Sequence, residues 1–416
     1  MPDPLLVGID VHRQNNTVHL MDGQGQEVAK AFAVANNRPG SQALAAKLSQ
    51  VASAGGYDCL QVAAEATGFY WWHLFVALSQ DPLLAHWPLS LYPFNARPIA
   101  NFRKAYIDLD KSDAIDPFVI ADRLRWGRDL PQPFHADATL TAIRCLTRHR
   151  FHLSQNLARE KACCLAYLYL KASEYTHLKA FSDVFGAASR AVIANFASIE
   201  DIAAIPLADL VEFIDNKGKG RFADPSQNAR LLQQVAQDSY PLPEALQAPV
   251  NLILRQSLQS ISTIERQRQR LDAVIAEHMQ AVPNSLQTIP GFGPVYSAGI
   301  IAEIGDLERF HYDEAKVAKF AGLKWRQTQS GDFKADETRL TRSGNPYLRY
   351  YFTEAANSVR RYDADYAAYY QRKYDEVHTH QHKRAIILTA RKLVRLVVRL
   401  LTTNQSYQPR NSILAS

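Results

Sequence analysis

The chain has 416 residues, which exceeds one ordinary hydrophobic core and predicts two or three domains. Its 47% apolar and 21% charged residues are typical of a folded soluble protein, and no stretch approaches the roughly 18 consecutive apolar residues of a membrane span. The 47 basic and 41 acidic residues give a net charge of +6, which is compatible with a polyanionic partner but does not require one.

The N-terminal residues and the cysteines indicate the cellular compartment. The N-terminal residues lack a basic region followed by a long apolar stretch, so we interpret them as the start of a strand and not as a signal peptide. The four cysteines have no CxxC spacing, which argues against a zinc site or a disulfide framework. We therefore expect a cytoplasmic protein with reduced cysteines. The basic residues are concentrated toward the C-terminus, where six Lys or Arg and no acidic residue lie between Lys383 and Arg399.

Residues 1–130 alternate between strand and helix patterns. Three apolar runs follow one another (LLVGID, TVHLMD and EVAKAFAV), and a helical stretch then extends from Ser41 to Ala54. The strand LQVAAE, an aromatic helix from Tyr70 to Leu78, the short strand LSLY, a helix from Ala96 and a helix beginning near Ser112 complete the pattern. This order predicts an α/β domain of the ribonuclease H-like type.

Residues 136–283 are predicted to form a helical arm. Apolar residues recur at near-heptad spacing from Leu140 to Leu168, with Arg150 as the polar exception, and again from Val250 to Met279. We expect these two helices to pair as a coiled-coil arm. The smaller helical segment between them contains NKGKGRF, which is either a phosphate contact or, as we favour, a solvated turn.

Residues 284–405 are predicted to form a mostly helical C-terminal domain, followed by a tail at 406–416. Pro283 marks the boundary, and a glycine turn, two short helices and a strand-like stretch precede long helices from Pro346 to Leu401. The last helix has the composition of a membrane-surface helix, but the apolar residues around it favour packing inside this domain.

Four carboxylates lie where strands end or helices begin. Asp10 ends the first strand, Glu65 ends LQVAAE, and Asp113 and Asp116 lie three apart at a helix start. In a ribonuclease H-like sheet these positions converge, and like carboxylates in close proximity need a counter-charge such as Mg²⁺. Each acid alone is better explained as a turn or helix-start residue, whereas the four together favour a metal site. We assign three neighbouring acids to the surface: Asp108, Asp110 and Asp122.

The stretch TIPGFGPVYSAGIIAEIGD indicates a phosphate contact. Its glycines, Gly291 and Gly293, resemble the turn of a helix-hairpin-helix, in which backbone N–H groups at a helix start hold one phosphate. A dinucleotide fingerprint is excluded, because Tyr296 occupies the position of the third glycine and no strand precedes the motif.

Ser330 is a candidate nucleophile in a Gln-Ser-Gly turn, where Gly331 would let a phosphate approach closely. Serine followed by glycine is a common loop dipeptide, so alone it indicates only a turn. Three arginines, Arg326, Arg342 and Arg349, would neutralise a phosphate and the charge that develops on it.

These blocks resemble the "one-ten" and "eleven-eleven" insertion-sequence transposases, a family that also contains the Piv-type DNA invertases. GID, Glu65 in AAEATG, and KSDAID are similar to the family's acidic blocks. IPGFG, AEIGD, FAGL, QSG and GNPYLR occur in the family's order over Gln287 to Arg349. The sequence departs from the family's pattern at Ser112, at Pro117 and at Lys324-Trp325, and none of these replaces a proposed catalytic group.

The resemblance implies a mechanism and partners. Asp10, Glu65, Asp113 and Asp116 would bind Mg²⁺ in a RuvC-like domain, and Ser330 would attack DNA to form a covalent phosphoserine. Family members act as homodimers or homotetramers on double-stranded DNA of the element ends and target, in the bacterial cytoplasm at the nucleoid. Many are guided by a structured bridge RNA. The nucleic-acid contacts would come from Gly291, Gly293, Arg326, Arg342, Asn345 and Arg349.

Two other functions stay open at this point. One is a structure-specific endonuclease of the Holliday-junction resolvase kind, in which the four acids hydrolyse DNA and the C-terminal half only binds it. The other is a nucleic-acid-binding protein without catalysis.

Overall fold

The structure is a computed structural model that describes residues 3–66, 68–106, 115–128, 130–325, 329–330, 333–334, 340–341 and 343–409, with the backbone alone at 329–330 and 333–334. The chain divides into two compact units, Met1–Ala138 and Thr139–Ser416. No helix among the described residues is long and apolar enough to cross a membrane.

The N-terminal unit is built on a five-stranded sheet. Its strands are β1 (Pro4–Val11), β2 (Asn15–Met21), β3 (Glu27–Ala35), β4 (Cys59–Glu65) and β5 (Leu89–Phe94). They lie in the order β3-β2-β1-β4-β5. The pairs β3-β2 and β2-β1 are antiparallel, and the pairs β1-β4 and β4-β5 are parallel. The predicted mixed α/β arrangement, with three successive strands followed by alternating helices and strands, is confirmed.

Four helices cover this sheet: α1 (Arg38–Gly55), α2 (Trp72–Gln80), α3 (Ala96–Arg103) and α4 (Ile115–Trp126). Leu5, Val7 and Ile9 of β1 belong to the core formed with α1 and α2, whereas Leu6 belongs to the core formed with α4. Alternate residues of β1 therefore face opposite helical layers, and this central strand is buried on both faces.

The C-terminal unit begins with two long helices and four short ones between them: α5 (Ala138–Lys171), α6 (Ala187–Asn195), α7 (Ile199–Ala204), α8 (Leu207–Gly218), α9 (Pro225–Asp238) and α10 (Glu244–Met279). Helices α5 and α10 pack antiparallel. Arg150 pairs with Asp272, and the Lys161 Nζ lies 3.2 Å from the Glu265 Oε1. The expected pairing of the long helices is therefore observed, and Arg150 interrupts the apolar pattern because it binds a carboxylate on the facing helix.

A buried lysine fastens the far end of the two long helices. Lys171 donates to the carbonyls of Ile193 and Phe196 and to the Asn251 Oδ1, at 3.1, 2.5 and 2.6 Å. Burial lowers the pKa of this lysine to about 8. Lys171 thus joins both long helices to the end of α6.

The remaining elements are α11 (Pro294–Ile304), α12 (Glu314–Phe320), the short strands β6 (Gln329–Ser330) and β7 (Phe333–Lys334), α13 (Pro346–Tyr362), α14 (Ala364–Asp375) and α15 (Gln381–Thr403). Leu393, Val394 and Val397 of α15 are fully buried, which confirms the expected packing of the last helix. The Tyr351 hydroxyl donates to the Thr147 carbonyl at 2.7 Å, so α13 packs on α5 within one compact unit. A division of this unit at Pro283 stays a prediction.

Candidate active site

Asp10 and Glu65 lie at the ends of neighbouring parallel strands. The register pairs Ile9 of β1 with Ala64 of β4, so the next residues, Asp10 and Glu65, are neighbours on the opposite face. Adjacent strands are about 4.8 Å apart. The Asp10 side chain is only 17% exposed. The two carboxylates therefore share one edge of the sheet, as the strand pattern predicts.

Gly8 brings helix α4 directly against β1. A Cβ atom at Gly8 would lie 2.0 Å from the Pro117 carbonyl oxygen and 2.6 Å from the Ala121 backbone nitrogen, both too close for any side chain. Asp116 immediately precedes Pro117 in the first turn of α4. The close approach at Gly8 thus places Asp116 beside the strand that ends in Asp10. Pro117 fits there because the first backbone N–H groups of a helix need no helical partner.

Two basic side chains contact the proposed ligands. The His12 Nε2 lies 3.0 Å from the Asp10 Oδ2, and the Arg103 guanidinium, at the end of α3, pairs with the Asp116 carboxylate. A positively charged group therefore already lies at Asp116. The sequence gives no signal for this contact, because Arg103 and Asp116 lie on separate helices.

The chemistry of the donor set fits a hard divalent cation. Asp10, Glu65 and Asp116 offer carboxylate oxygens, which are the ligands that Mg²⁺ prefers. Within the described ranges, no group of three or more His, Cys, Asp or Glu side chains is arranged to hold a metal ion. Asp113, the fourth predicted ligand, lies outside the described residues. The structure thus places Asp10 and Glu65 at neighbouring strand ends and Asp116 on the helix that packs against β1.

Asp122 is not on the surface, and its predicted assignment there is wrong. It is 8% exposed and accepts hydrogen bonds from the Tyr106 hydroxyl and, at 2.5 Å, from the Arg125 Nε. Burial and the contact with this carboxylate raise the pKa of Tyr106. The Asp122 carboxylate therefore has a structural role, in which it binds Tyr106 and Arg125. Asp108 and Asp110 lie outside the described residues.

We predict that Gly8→Ala lowers the free energy of unfolding of the N-terminal unit by about 1–3 kcal/mol, the usual cost of overpacking. The added methyl would push α4 away from β1, and Asp116 would move with it. Urea unfolding followed by tryptophan fluorescence measures this unit well, because four of the five tryptophans (Trp71, Trp72, Trp87 and Trp126) lie in it.

Gly23→Ala is the matched control for this test. A Cβ atom there would lie no closer than 3.5 Å to any neighbour, which is an ordinary contact. We expect its unfolding free energy to stay within about 0.5 kcal/mol of the unsubstituted protein. Equal stability of Gly8→Ala and Gly23→Ala would contradict the assigned role of Gly8.

The glycine turn before α11 has one closed position and one open position. Gly291 has φ +77°, and a Cβ atom there would lie 2.5 Å from the Tyr362 ring, so only glycine fits. Gly293 is the N-cap of α11, and nothing lies within 4 Å of a Cβ built on it. The turn is therefore accessible at Gly293, and its phosphate contact stays a prediction.

Asn345 connects two of the sequence motifs. Its Oδ1 accepts from the Tyr347 and Leu348 backbone N–H groups at 2.9 and 3.0 Å, and its Nδ2 donates to the Glu303 Oε2 at 2.6 Å. Arg148 of α5 binds both oxygens of the same Glu303 carboxylate at 2.6 and 2.8 Å, and Glu303 is 1% exposed. AEIGD and GNPYLR therefore meet at a buried carboxylate that also holds α5. Sequence reasoning did not assign a role to Glu303 or Arg148.

Ser330 ends β6, and its backbone pairs with Phe333 of β7 in an antiparallel ladder. Arg349, on α13, donates to the Ala321 carbonyl at 3.5 Å. Arg326 and Arg342 lie outside the described residues. The structure thus places the Ser330 backbone in a two-stranded ribbon, and its role as a nucleophile stays a prediction.

Comparisons with known proteins cover both parts of this chain. A transposase family model of the DEDD type matches residues 7–170, and a model described as "Transposase IS116/IS110/IS902 family" matches residues 284–371. The first indicates dependence on a divalent metal, and its domain fits the ribonuclease H-like order of the sheet.

Three similar proteins carry transposition-related names. The chain is 26% identical over the full length of both sequences to the insertion element IS900 uncharacterized 42 kDa protein of Mycobacterium paratuberculosis. It is 23% identical to the insertion element IS116 uncharacterized 44.8 kDa protein of Streptomyces clavuligerus, over 79% of this chain and 80% of that protein. A probable family 20 transposase of Pseudomonas aeruginosa is 28% identical over 29% of this chain and 35% of its own length. With matched family models at both ends, the chain belongs to the IS110/IS116/IS902 family of transposases, which catalyse DNA transposition.

Proposed function

We propose that this protein is a Mg²⁺-dependent DNA transposase that cuts and rejoins strands through a covalent phosphoserine at Ser330. The observation that carries the metal-dependent part is the position of Asp10 and Glu65 at adjacent strand ends, with α4 held against β1 at Gly8. The family membership supports DNA as the substrate.

The carboxylates would hold the metal and orient the target phosphate. Asp10, Glu65, Asp113 and Asp116 are the proposed ligands, and the sheet fixes the first two before any ligand binds. When bound, divalent cations polarise a phosphoryl oxygen and stabilise the leaving oxygen of an in-line displacement. Arg103, which pairs with Asp116, would hold that carboxylate in place.

Ser330 would supply the nucleophile. Its Oγ gives up its proton and forms a bond to phosphorus as the bond from phosphorus to the 3′ oxygen breaks. The departing 3′ oxygen takes up a proton and becomes the 3′ hydroxyl. The phosphoserine ester retains the bond energy of the phosphodiester, so attack by a new 3′ hydroxyl restores Ser330 and joins strands without ATP. Arg326, Arg342 and Arg349 would neutralise the phosphate during both steps.

Partners beyond DNA follow from the family resemblance alone. We propose a homodimer or homotetramer and a structured guide RNA that pairs with donor and target DNA. The alternative function is a RuvC-like structure-specific endonuclease without a phosphoserine. It is favoured by one observation, namely that Asp10, Glu65 and Asp116 all belong to the unit Met1–Ala138.

A cleavage assay tests the proposal. The full chain is incubated with labelled junction DNA of the element ends and with RNA transcribed from the element's non-coding end, in Mg²⁺ or in EDTA. We expect cut strands and a denaturation-resistant protein–DNA adduct with Mg²⁺ and neither product with EDTA. Cleavage without an adduct would establish the endonuclease alternative, and cleavage in EDTA would overturn the metal-dependent mechanism.

A further inference from the structure

Two adjoining cavities form a groove on the C-terminal unit. The first, of about 320 Å³, is lined by residues of α12 and by Lys324 and Trp325, and the second, of about 630 Å³, lies between α14 and α15. Arg391 of α15 lines both cavities. We call the two together the α15 groove.

The α15 groove is strongly basic. Seven lysines and arginines line it, against Asp365 in the lining and Glu314 at its rim, which binds Arg395 at 3.0 Å. The seven are Lys316, Lys319, Lys324, Arg372, Arg391, Lys392 and Arg395. Because these cations come from three helices and one loop, the fold gathers charge that is scattered in the sequence.

Two aromatic side chains lie among these cations. Trp325 lines the first cavity and Tyr369 lines the second. The Lys392 Nζ lies 4.7 Å from the centre of the Tyr369 ring, and the Arg372 guanidinium carbon lies 5.3 Å from it. Aromatic faces between basic side chains are typical of grooves that hold a nucleic-acid strand, where bases stack as phosphates are neutralised.

We propose that the α15 groove binds the sugar–phosphate backbone of a nucleic-acid strand, with Trp325 and Tyr369 stacking on its unpaired bases. An apolar ligand does not suit a lining in which seven side chains are cationic. A repeating anion, with one charge per nucleotide, matches cations that extend from α12 across α15 to α14. The strand is DNA or RNA, since both carry the same phosphate chemistry.

This inference rests on the proposed function only in taking nucleic acid as the ligand. Binding through the groove needs neither a divalent metal nor Ser330. Binding is therefore measured in EDTA, where strand cleavage does not contribute. The affinity of the groove can then be determined even if the phosphoserine mechanism is wrong.

The test compares two triple variants of the full chain with equal loss of charge. The groove variant carries Lys319→Gln, Arg372→Gln and Arg391→Gln. The control variant carries Arg159→Gln, Arg266→Gln and Arg270→Gln, three exposed arginines of α5 and α10. Fluorescence anisotropy measures Kd for single-stranded DNA, single-stranded RNA and duplex DNA of one sequence across a salt series.

We expect the groove variant to weaken single-strand binding by at least about 10-fold and to reduce the salt slope by about 2. The control variant should stay within about 2-fold of the unsubstituted protein. Trp325→Ala should weaken binding of the single strands more than binding of the duplex. Whichever single strand binds the unsubstituted protein with the lower Kd identifies the ligand as DNA or RNA. Equal Kd values for the two triple variants would overturn the proposal. So would a larger loss of duplex binding than of single-strand binding in the groove variant or in Trp325→Ala.

Discussion

Asp10→Asn is expected to slow metal-dependent strand cleavage by about 10³-fold. Asparagine keeps the shape of the side chain and can still bond to His12, but it removes the negative charge that would neutralise the cation. A bound divalent ion stabilises the transition state by several kcal/mol, and about 4 kcal/mol corresponds to a 10³-fold change in rate. Single-turnover cleavage in Mg²⁺ measures the effect.

The control for Asp10→Asn is Asp81→Asn in the same unit. The Asp81 Oδ1 caps a short helical turn by accepting from the Leu83 N–H at 3.0 Å, and asparagine caps a helix equally well. A second measurement is the rise in Tm on adding Mg²⁺, which binding to the folded state produces. We expect this rise with Asp81→Asn and its loss with Asp10→Asn. Unchanged cleavage and Tm with Asp10→Asn would remove Asp10 from the ligand set.

The strand-end carboxylates were predictable because strand periodicity is local. Alternation and apolar runs locate β1 and β4, and a parallel register then brings Asp10 and Glu65 to one edge. Gly8 was not predictable as a site residue, because its role depends on α4, which approaches from more than one hundred residues farther along the chain. Asp122 was misassigned for a similar reason: helix periodicity does not show that Tyr106 lies over it.

The C-terminal motifs were recognisable, but their contacts were not. AEIGD and GNPYLR were found in order, yet the Glu303 carboxylate receives both Arg148 and Asn345 from distant parts of the chain. The same limit applies to the basic residues of α15. The sequence shows their number, and only the fold shows that one side of this helix packs in the core while Arg391 and its neighbours line a groove.

Ser330→Ala is expected to abolish the denaturation-resistant protein–DNA adduct. The ester forms only through the serine Oγ, and alanine has no atom that can take its place. DNA binding should persist, because the groove cations and the glycine turn are unchanged. The measurement is the fraction of labelled DNA that stays with the protein after denaturation and gel electrophoresis in Mg²⁺.

Ser343→Ala is the matched control, since Ser343 is an exposed serine that immediately precedes the GNPYLR block. We expect it to form the adduct at the unsubstituted level. An adduct that survives in Ser330→Ala but is lost in Ser343→Ala would reassign the nucleophile. Digestion of the adduct separates these outcomes directly, because the peptide that carries the nucleotide contains either Ser330 or Ser343. Cut strands without adduct in Ser330→Ala would show that the carboxylate edge hydrolyses DNA by itself and that the serine is needed only for strand joining.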